Sequence, residues 1–219
     1  MDLWYPAATI LRGPPDKFWP ERNTCAGVIL HSMGGRLDVA LDMLADTALR
    51  KSWHFSIGKN GIVYQHYPIT ASVFHSGNRY MNGQLVGIEH EGGLSSNPSE
   101  PLTALQEAAS VALVQWVAAE CGWEPKRGGG AGQTLWEHNE VSLTACPSGR
   151  IDWSKYEGEV VVQTRPLDQA ETIQALNQVA ARFGSVVADD QGETAVEITG
   201  GYPVPTGMRA IIFVLKETP

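Results

Sequence analysis

The chain has few cysteines, no long apolar run and no excess of positive charge, and each shortage excludes a class of protein. Three cysteines among 219 residues cannot all pair within one molecule, so a disulfide-stapled scaffold is not predicted, although a Cys25–Cys121 pair stays open. No segment approaches the roughly 20 apolar residues of a membrane-spanning helix, and the first residues lack the pattern of a secretory signal peptide. The net charge of −8 disfavours binding to nucleic acids or anionic membranes. We therefore expect synthesis in the cytoplasm, no nucleic-acid partner and no membrane insertion.

Hydrophobic spacing predicts alternating strands and helices over the N-terminal part of the chain. Leucine and alanine recur at helical spacing over residues 37–50, and Asn60-Gly61 between two alternating stretches is typical of a β-hairpin. A second helix is expected over residues 103–121. Its inward face is predicted to consist of Leu105, Ala109, Ala112 and Trp116. Strands are predicted at residues 26–31, 53–57, 62–66, 84–91 and 134–136, after an irregular arm over residues 1–25.

The sequence changes character near Tyr156, which predicts a domain boundary. Asp168 and Glu171 form the start of a predicted helix in the tail. Further strands are predicted at residues 185–189, 194–199 and 209–216. We expect one domain over residues 1–157 and a small α+β unit over residues 158–219.

His31, His138 and Cys146 are the side chains that best match a metal site. His31 closes an apolar run, and His138 and Cys146 flank a turn-prone segment that ends in Pro147-Ser148-Gly149. Two imidazoles and one thiolate suit Zn²⁺ and leave its fourth tetrahedral position open, as in catalytic zinc sites. The spacing matches no zinc-finger pattern. From these residues alone, a zinc site and three unrelated side chains both stay open.

Five segments carry motifs that occur together, in order along the chain. They are VILHSMGG at 28–35, SWHFSIGKNGIVYQHYP at 52–68, FHSGN at 74–78, VGIEHEGG at 86–93 and LWEHNEVSLTACPSGRIDW at 135–153. This set resembles the zinc-dependent N-acetylmuramoyl-L-alanine amidases of the type-2 family, whose fold is shared with peptidoglycan recognition proteins. The resemblance covers residues 5–156 and implies an α/β fold with a mixed central β-sheet flanked by helices. It also implies hydrolysis of the bond between N-acetylmuramic acid and L-alanine in peptidoglycan.

The resemblance implies roles for individual residues. His31, His138 and Cys146 match the zinc ligands, and Glu89 matches an acidic residue proposed in some members to activate the attacking water. Thr144 occupies a position where members carry lysine or threonine, and is expected to stabilise the oxyanion. A carboxyl group that exchanges protons near neutral pH needs a raised pKa, so we predict that Glu89 is partly desolvated.

Three further positions are predicted to contact the substrate. His75 and Asn78 match a stretch that lines the groove in the family, and Trp53 stands where some members have a tyrosine with a proposed catalytic role. An indole N–H donates a hydrogen bond but does not exchange its proton near neutral pH, so more of the proton transfer is expected of Glu89. His54 is expected to be structural, because strand alternation turns it away from Trp53.

The resemblance predicts a phage or prophage endolysin that is made in the host cytoplasm and acts on the cell wall after release. A cytoplasmic wall-recycling amidase and a non-catalytic peptidoglycan-binding module are the alternatives. A structural zinc domain would need a fourth protein ligand such as His54 or His75. The tail over residues 158–219 is expected to bind wall polymer, to mediate self-association or to brace the catalytic domain.

Overall fold

The computed structural model describes residues 2–157 and two short strands at residues 187–188 and 194–195. Contacts between Cα atoms divide the chain into two compact units, Met1–Glu159 and Val160–Pro219. In the second unit, strand Val187–Ala188 pairs antiparallel with strand Thr194–Ala195. These strands lie within two of the predicted tail segments, and the other predicted tail elements lie outside the described residues.

A six-stranded sheet forms the centre of the first unit. Its strands are β1 (Thr9–Ile10), β3 (Gly27–Ser32), β4 (Phe55–Ile57), β5 (Val63–Gln65), β7 (Leu85–His90) and β8 (Leu135–Glu137). Their order across the sheet is β1-β5-β4-β7-β3-β8. The β4–β5 hairpin is antiparallel, and the other pairs are parallel. The predicted α/β fold with a mixed central sheet is therefore confirmed.

The N-terminal arm is more regular than predicted. It contains β1 and a second strand, β2 (Phe18–Arg22), which pairs antiparallel with β6 (Ala71–Val73) in a separate two-stranded sheet. The prediction of an irregular arm was wrong because β1 and β2 pair with segments about 50 residues later in the chain. Local hydrophobic spacing does not report such pairings, since most residues of both strands are exposed.

Three α-helices accompany the sheets in the described part of the chain. They are α1 (Leu37–Ala45), α2 (Arg79–Asn82) and α3 (Ala104–Cys121). The buried Lys17 ammonium donates to the carbonyls of Met43 and Leu44, which places a positive charge at the end of α1 where the helix dipole favours it. Gly122 ends α3 with a φ of 74°, a left-handed conformation that glycine adopts without steric cost. Within the described residues, no helix combines the length and apolarity needed to cross a bilayer.

Helix α3 has the predicted bounds but buries a different face. Leu105 and Ala112 are exposed, whereas Gln106 and Ser110 are fully buried. The Gln106 amide donates to two carbonyls of the sheet region, those of Ile57 and Glu91. These two polar side chains share the inward face with the buried apolar residues Leu113, Val114, Val117 and Ala118. The predicted stripe was therefore displaced from the buried face, and only Ala109 and Trp116 of it pack partly against the core.

The strands of the sheet bring the candidate site residues to one edge. In the parallel β3–β7 pair, His31 lies directly opposite Glu89. Strand β8 runs parallel to β3 on its other side, with Leu30 opposite Glu137, so His138 follows at the same edge. Because β3, β4 and β7 are almost entirely buried, this edge is built on the rigid core of the unit.

Candidate metal centre

Three segments converge to form the site. His31 lies near the carboxyl end of β3, and His138 begins a short 3-10 helix directly after β8. The loop that follows turns back, because the Asn139 N–H donates to the Cys146 carbonyl at 2.9 Å. Thr144 Oγ1 accepts a hydrogen bond from the Cys146 N–H at 3.2 Å and fixes the loop locally. His31, His138 and Cys146 therefore lie side by side although His31 is more than 100 residues from the other two in the chain.

The three side chains have the spacing of a metal-binding set. One ligand atom from each lies within 4.8 Å of the others, and His31 Nδ1 is 4.0 Å from Cys146 Sγ. A tetrahedral Zn²⁺ with Zn–N of about 2.0 Å and Zn–S of about 2.3 Å separates the nitrogen and sulfur by about 3.6 Å. The observed separation thus differs from that of a zinc site by less than half an ångström. A divalent cation fits the donor set and the geometry.

The protonation of the two histidines suits metal binding. Burial lowers the pKa of His31 well below its ordinary range and also lowers that of His138. Both rings are therefore neutral near pH 7, which is the form that binds metals. His138 Nε2 lies 3.2 Å from the Ser76 carbonyl oxygen and must donate to it, so Nδ1 carries the lone pair.

Cys146 lies in a site where the thiolate needs a cation. Burial, with Glu89 nearby, raises the pKa of the thiol to about 12 in the metal-free protein. The Ser32 N–H donates to Sγ at 3.1 Å, and the positive charge of Arg150 also favours the thiolate. Metal binding would release the thiol proton, so the affinity should increase with pH.

Glu89 is the carboxylate that lies beside His31 in the part of the chain that the structure describes. Its Oε1 lies 3.9 Å from His31 Nδ1, and its side chain is 16% exposed. Its Oε2 is buried and has no hydrogen-bond partner among the described residues. Burial raises the pKa of Glu89 to about 8, which agrees with the predicted desolvation.

The residues predicted to contact the substrate all have partners inside the protein. Trp53 is buried and donates its indole N–H to Ser56 Oγ at 2.8 Å. His75 is buried between His31 Nε2 and the Leu85 carbonyl. Asn78 caps α2 by accepting the N–H groups of the first turn. Substrate contact by Trp53, His75 and Asn78 stays a prediction.

The geometry supports neither a closed structural zinc site nor a Cys25–Cys121 disulfide, two alternatives that the sequence left open. The metal-binding group contains no fourth protein ligand from the described residues, whereas a closed structural zinc site needs one. His54 is structural as expected: its Nδ1 accepts the Gly87 N–H, and its Nε2 lies 2.8 Å from the Ala71 carbonyl oxygen. Cys25 and Cys121 are both free thiols.

Arg150 is a supporting residue that the sequence analysis did not identify. Its buried guanidinium donates to the carbonyls of Glu100, His90 and Glu91 and to Ser32 Oγ, at distances of 2.6 to 3.3 Å. It thereby ties the ends of β3 and β7 to the loop that carries Cys146. Its signal in the sequence was its place in the last motif, because the groups that it bonds lie about 50 to 120 residues earlier in the chain.

Comparison with known proteins identifies the family and agrees with the fold. The family model described as N-acetylmuramoyl-L-alanine amidase matches residues 21–149, which include all three candidate ligands. No curated protein matches the sequence significantly. The structure of PlyL is similar at 13% identity, with a TM-score of 0.53, covering 69% of this chain and 97% of that chain.

Two further solved structures share the fold. An AmpD derivative has 18% identity and a TM-score of 0.51, covering 71% of this chain and 97% of that chain. A mutant endolysin from Bacillus subtilis has 19% identity and a TM-score of 0.51, covering 68% and 96%. These likenesses establish the fold, and the family model spans more than half of the sequence. The chain therefore belongs to the N-acetylmuramoyl-L-alanine amidase family.

Proposed function

We propose that the protein is a zinc-dependent amidase that cleaves the bond between the lactyl group of N-acetylmuramic acid and L-alanine in peptidoglycan. The observation that carries this proposal is the convergence of His31, His138 and Cys146 beside the desolvated carboxyl of Glu89. Zn²⁺ bound there would lower the pKa of a water from about 15.7 towards about 7 and polarise the scissile carbonyl. The chain's own residues supply the proton transfer and part of the charge stabilisation.

Glu89 is proposed as the general base and acid. Its carboxylate takes a proton from the attacking water and returns it to the departing amine of L-alanine. A carboxyl group is suited to both steps when its pKa lies near the working pH, and burial moves the pKa of Glu89 in that direction. Such a group typically contributes about 10²- to 10⁴-fold in rate.

Thr144 is proposed as a donor to the oxyanion. Its oxygen already accepts the Cys146 N–H at 3.2 Å, which holds the side chain against the loop that carries the ligand. A hydroxyl that accepts one hydrogen bond keeps its own proton available as a donor. The Thr144 O–H is thus available to stabilise the negative charge that develops on the carbonyl oxygen.

The test is the chemistry of the products, with and without metal. Purified peptidoglycan is digested with zinc-loaded and chelator-treated protein, and the fragments are identified by mass spectrometry. We expect peptides with a free L-alanine amino group from the zinc-loaded protein alone. Cys146→Ser should abolish their release, whereas Cys121→Ser is the matched control because Cys121 lies outside the metal-binding group. Cleavage of a glycosidic bond, or activity that survives Cys146→Ser at full metal content, would contradict the proposal.

We further propose that the protein acts on intact walls, as an endolysin does, and that residues 158–219 form a wall-binding domain. The division of the chain between Glu159 and Val160 supports a boundary at this place. A chain ending at residue 157 should keep activity on soluble muropeptides and lose binding to insoluble walls. Activity confined to soluble fragments would instead indicate a recycling amidase, and a lost dimer or a lower melting temperature would indicate self-association or bracing by the tail.

A further inference from the structure

We propose that His75 is a positioning residue that fixes the tautomer of His31 and so directs the Nδ1 lone pair of His31 to the metal. The inference rests on the proposed function in one respect, namely that the cation at this site is zinc. It gives His75 a role within the protein, distinct from the predicted contact with substrate.

The proton positions follow from a chain of hydrogen bonds that begins at the sheet. The Leu85 carbonyl oxygen only accepts, and it lies 3.1 Å from His75 Nε2, so that nitrogen must carry the proton. Both rings are buried, which disfavours the charged imidazolium, and a neutral imidazole has a single N–H. His75 Nδ1 is therefore an acceptor.

The same logic extends from His75 to His31. His31 Nε2 lies 3.1 Å from the acceptor Nδ1 of His75 and must donate to it. His31 Nδ1 is then unprotonated, and this is the nitrogen that lies 4.0 Å from Cys146 Sγ. Leu85 thus sets the tautomer of a candidate ligand through one intervening ring, whereas the Ser76 carbonyl sets that of His138 directly.

The sheet and a neighbouring turn hold the His75 ring in place. A Cβ atom at Gly87 would lie 2.6 Å from both Cγ and Nδ1 of His75, so only a glycine at this point of β7 leaves room for the ring. The buried Asn82 side chain accepts the N–H groups of His75 and Ser76 and fixes the backbone. The acceptor for His31 is therefore preorganised, which is what the outer partner of a metal ligand requires.

Zinc affinity tests the proposal directly, without any measurement of activity. Affinity is measured by competition with a chromophoric chelator for the wild type, His75→Phe and His75→Asn. Phe removes the acceptor and keeps a ring, whereas the Asn carbonyl can occupy the place of Nδ1. His66→Phe is the matched control, because His66 is equally buried and bonds Ser56 and the Leu11 carbonyl, away from the candidate ligands.

We expect His75→Phe to weaken zinc binding by about 10- to 100-fold, the range typical for loss of an outer partner. His75→Asn should recover most of that loss, and His66→Phe should leave the zinc affinity unchanged even if it lowers the melting temperature. Equal zinc affinity in His75→Phe and the wild type would overturn the proposal. Equal losses in His75→Phe and His66→Phe would also overturn it, because they would indicate a general effect on folding.

A second measurement is independent of zinc. Long-range ¹H–¹⁵N spectra of the metal-free protein report which ring nitrogen of each histidine carries the proton. We expect Nε2–H on both His75 and His31 in the wild type, and a mixed tautomer of His31 in His75→Phe. Nδ1–H on His31 in the wild type would refute the inference. If the wild type bound no zinc, the proposed function would fail, while these spectra would still decide the role of His75.

Discussion

Replacement of Glu89 by glutamine should separate the contribution of this carboxyl group to turnover from its effect on the free energy of unfolding. Glutamine keeps the size of the side chain but cannot exchange a proton. We expect the turnover of zinc-loaded Glu89→Gln to fall by about 10² to 10⁴-fold, the usual contribution of a general acid or base. The zinc content should remain that of the wild type, because Glu89 is not a member of the metal-binding group.

The cost to stability follows from the raised pKa. Between pH 4.5, the ordinary pKa, and about 8, the native state holds a proton that the unfolded chain has released. The contribution of protonated Glu89 to the free energy of unfolding is therefore complete below pH 4.5 and is lost as the pH rises towards 8. Each pH unit in this window removes about 1.4 kcal/mol, so the loss at pH 7 is about 3 kcal/mol. This is an upper limit, because 16% of the side chain is exposed.

The assay is urea unfolding of the metal-free protein at pH 5 and pH 7, for the wild type and Glu89→Gln. The glutamine amide changes the stability by an amount that does not depend on pH. This amount cancels when the difference between the variant and the wild type at pH 5 is compared with that at pH 7. We expect the stability of Glu89→Gln relative to the wild type to increase by up to about 2 to 3 kcal/mol from pH 5 to pH 7. No increase would refute the desolvation of Glu89, and unchanged turnover with zinc bound would remove Glu89 from the mechanism.

Three other predictions test the surroundings of the site. Burial holds the pKa of His54, His66 and His90 at about 4, so unfolded chains bind more protons as the pH falls from 6.5 to 4. In metal-free Glu89→Gln, where the opposite change at Glu89 is absent, each of these histidines should therefore remove about 2 kcal/mol of stability between pH 7 and pH 5, and a flat profile in chemical denaturation would contradict this. Arg150→Lys should lower the free energy of unfolding by more than about 2 kcal/mol, because an ammonium cannot replace a guanidinium that serves four acceptors. Gly87→Ala should weaken zinc binding by about 10-fold in a chelator competition, since its Cβ displaces the His75 ring; an unchanged affinity would show that the ring has room to move.

Local sequence patterns predicted those elements that a few consecutive residues define. Strand β3 is an apolar run closed by His31, and the Asn60-Gly61 turn joins β4 to β5 as predicted. Helix α3 ends at Cys121, as predicted. The buried face of α3 was predicted incorrectly because two polar residues, Gln106 and Ser110, lie on it beside Leu113, Val114 and Val117. Their hydrogen bonds to the sheet region and to His90 are not visible in the sequence.

In the candidate site, too, the sequence identified individual residues but not all the contacts between distant parts of the chain. The motifs selected His31, His138 and Cys146, and the structure brings them together. The motif match placed His75 among the residues predicted to contact the substrate, and nothing in the sequence indicated that it also lies beside His31. That contact, 3.1 Å from His31 Nε2 to His75 Nδ1, is visible only in the structure.

X-ray absorption at the zinc edge of the reconstituted protein tests the central claim most directly. The account predicts one zinc per chain, with one sulfur at about 2.3 Å and two imidazole nitrogens at about 2.0 Å. The fourth donor should be a light atom that exchanges with solvent and is replaced by added inhibitor anions. A first shell without sulfur, or one closed by a fourth protein side chain, would contradict the account.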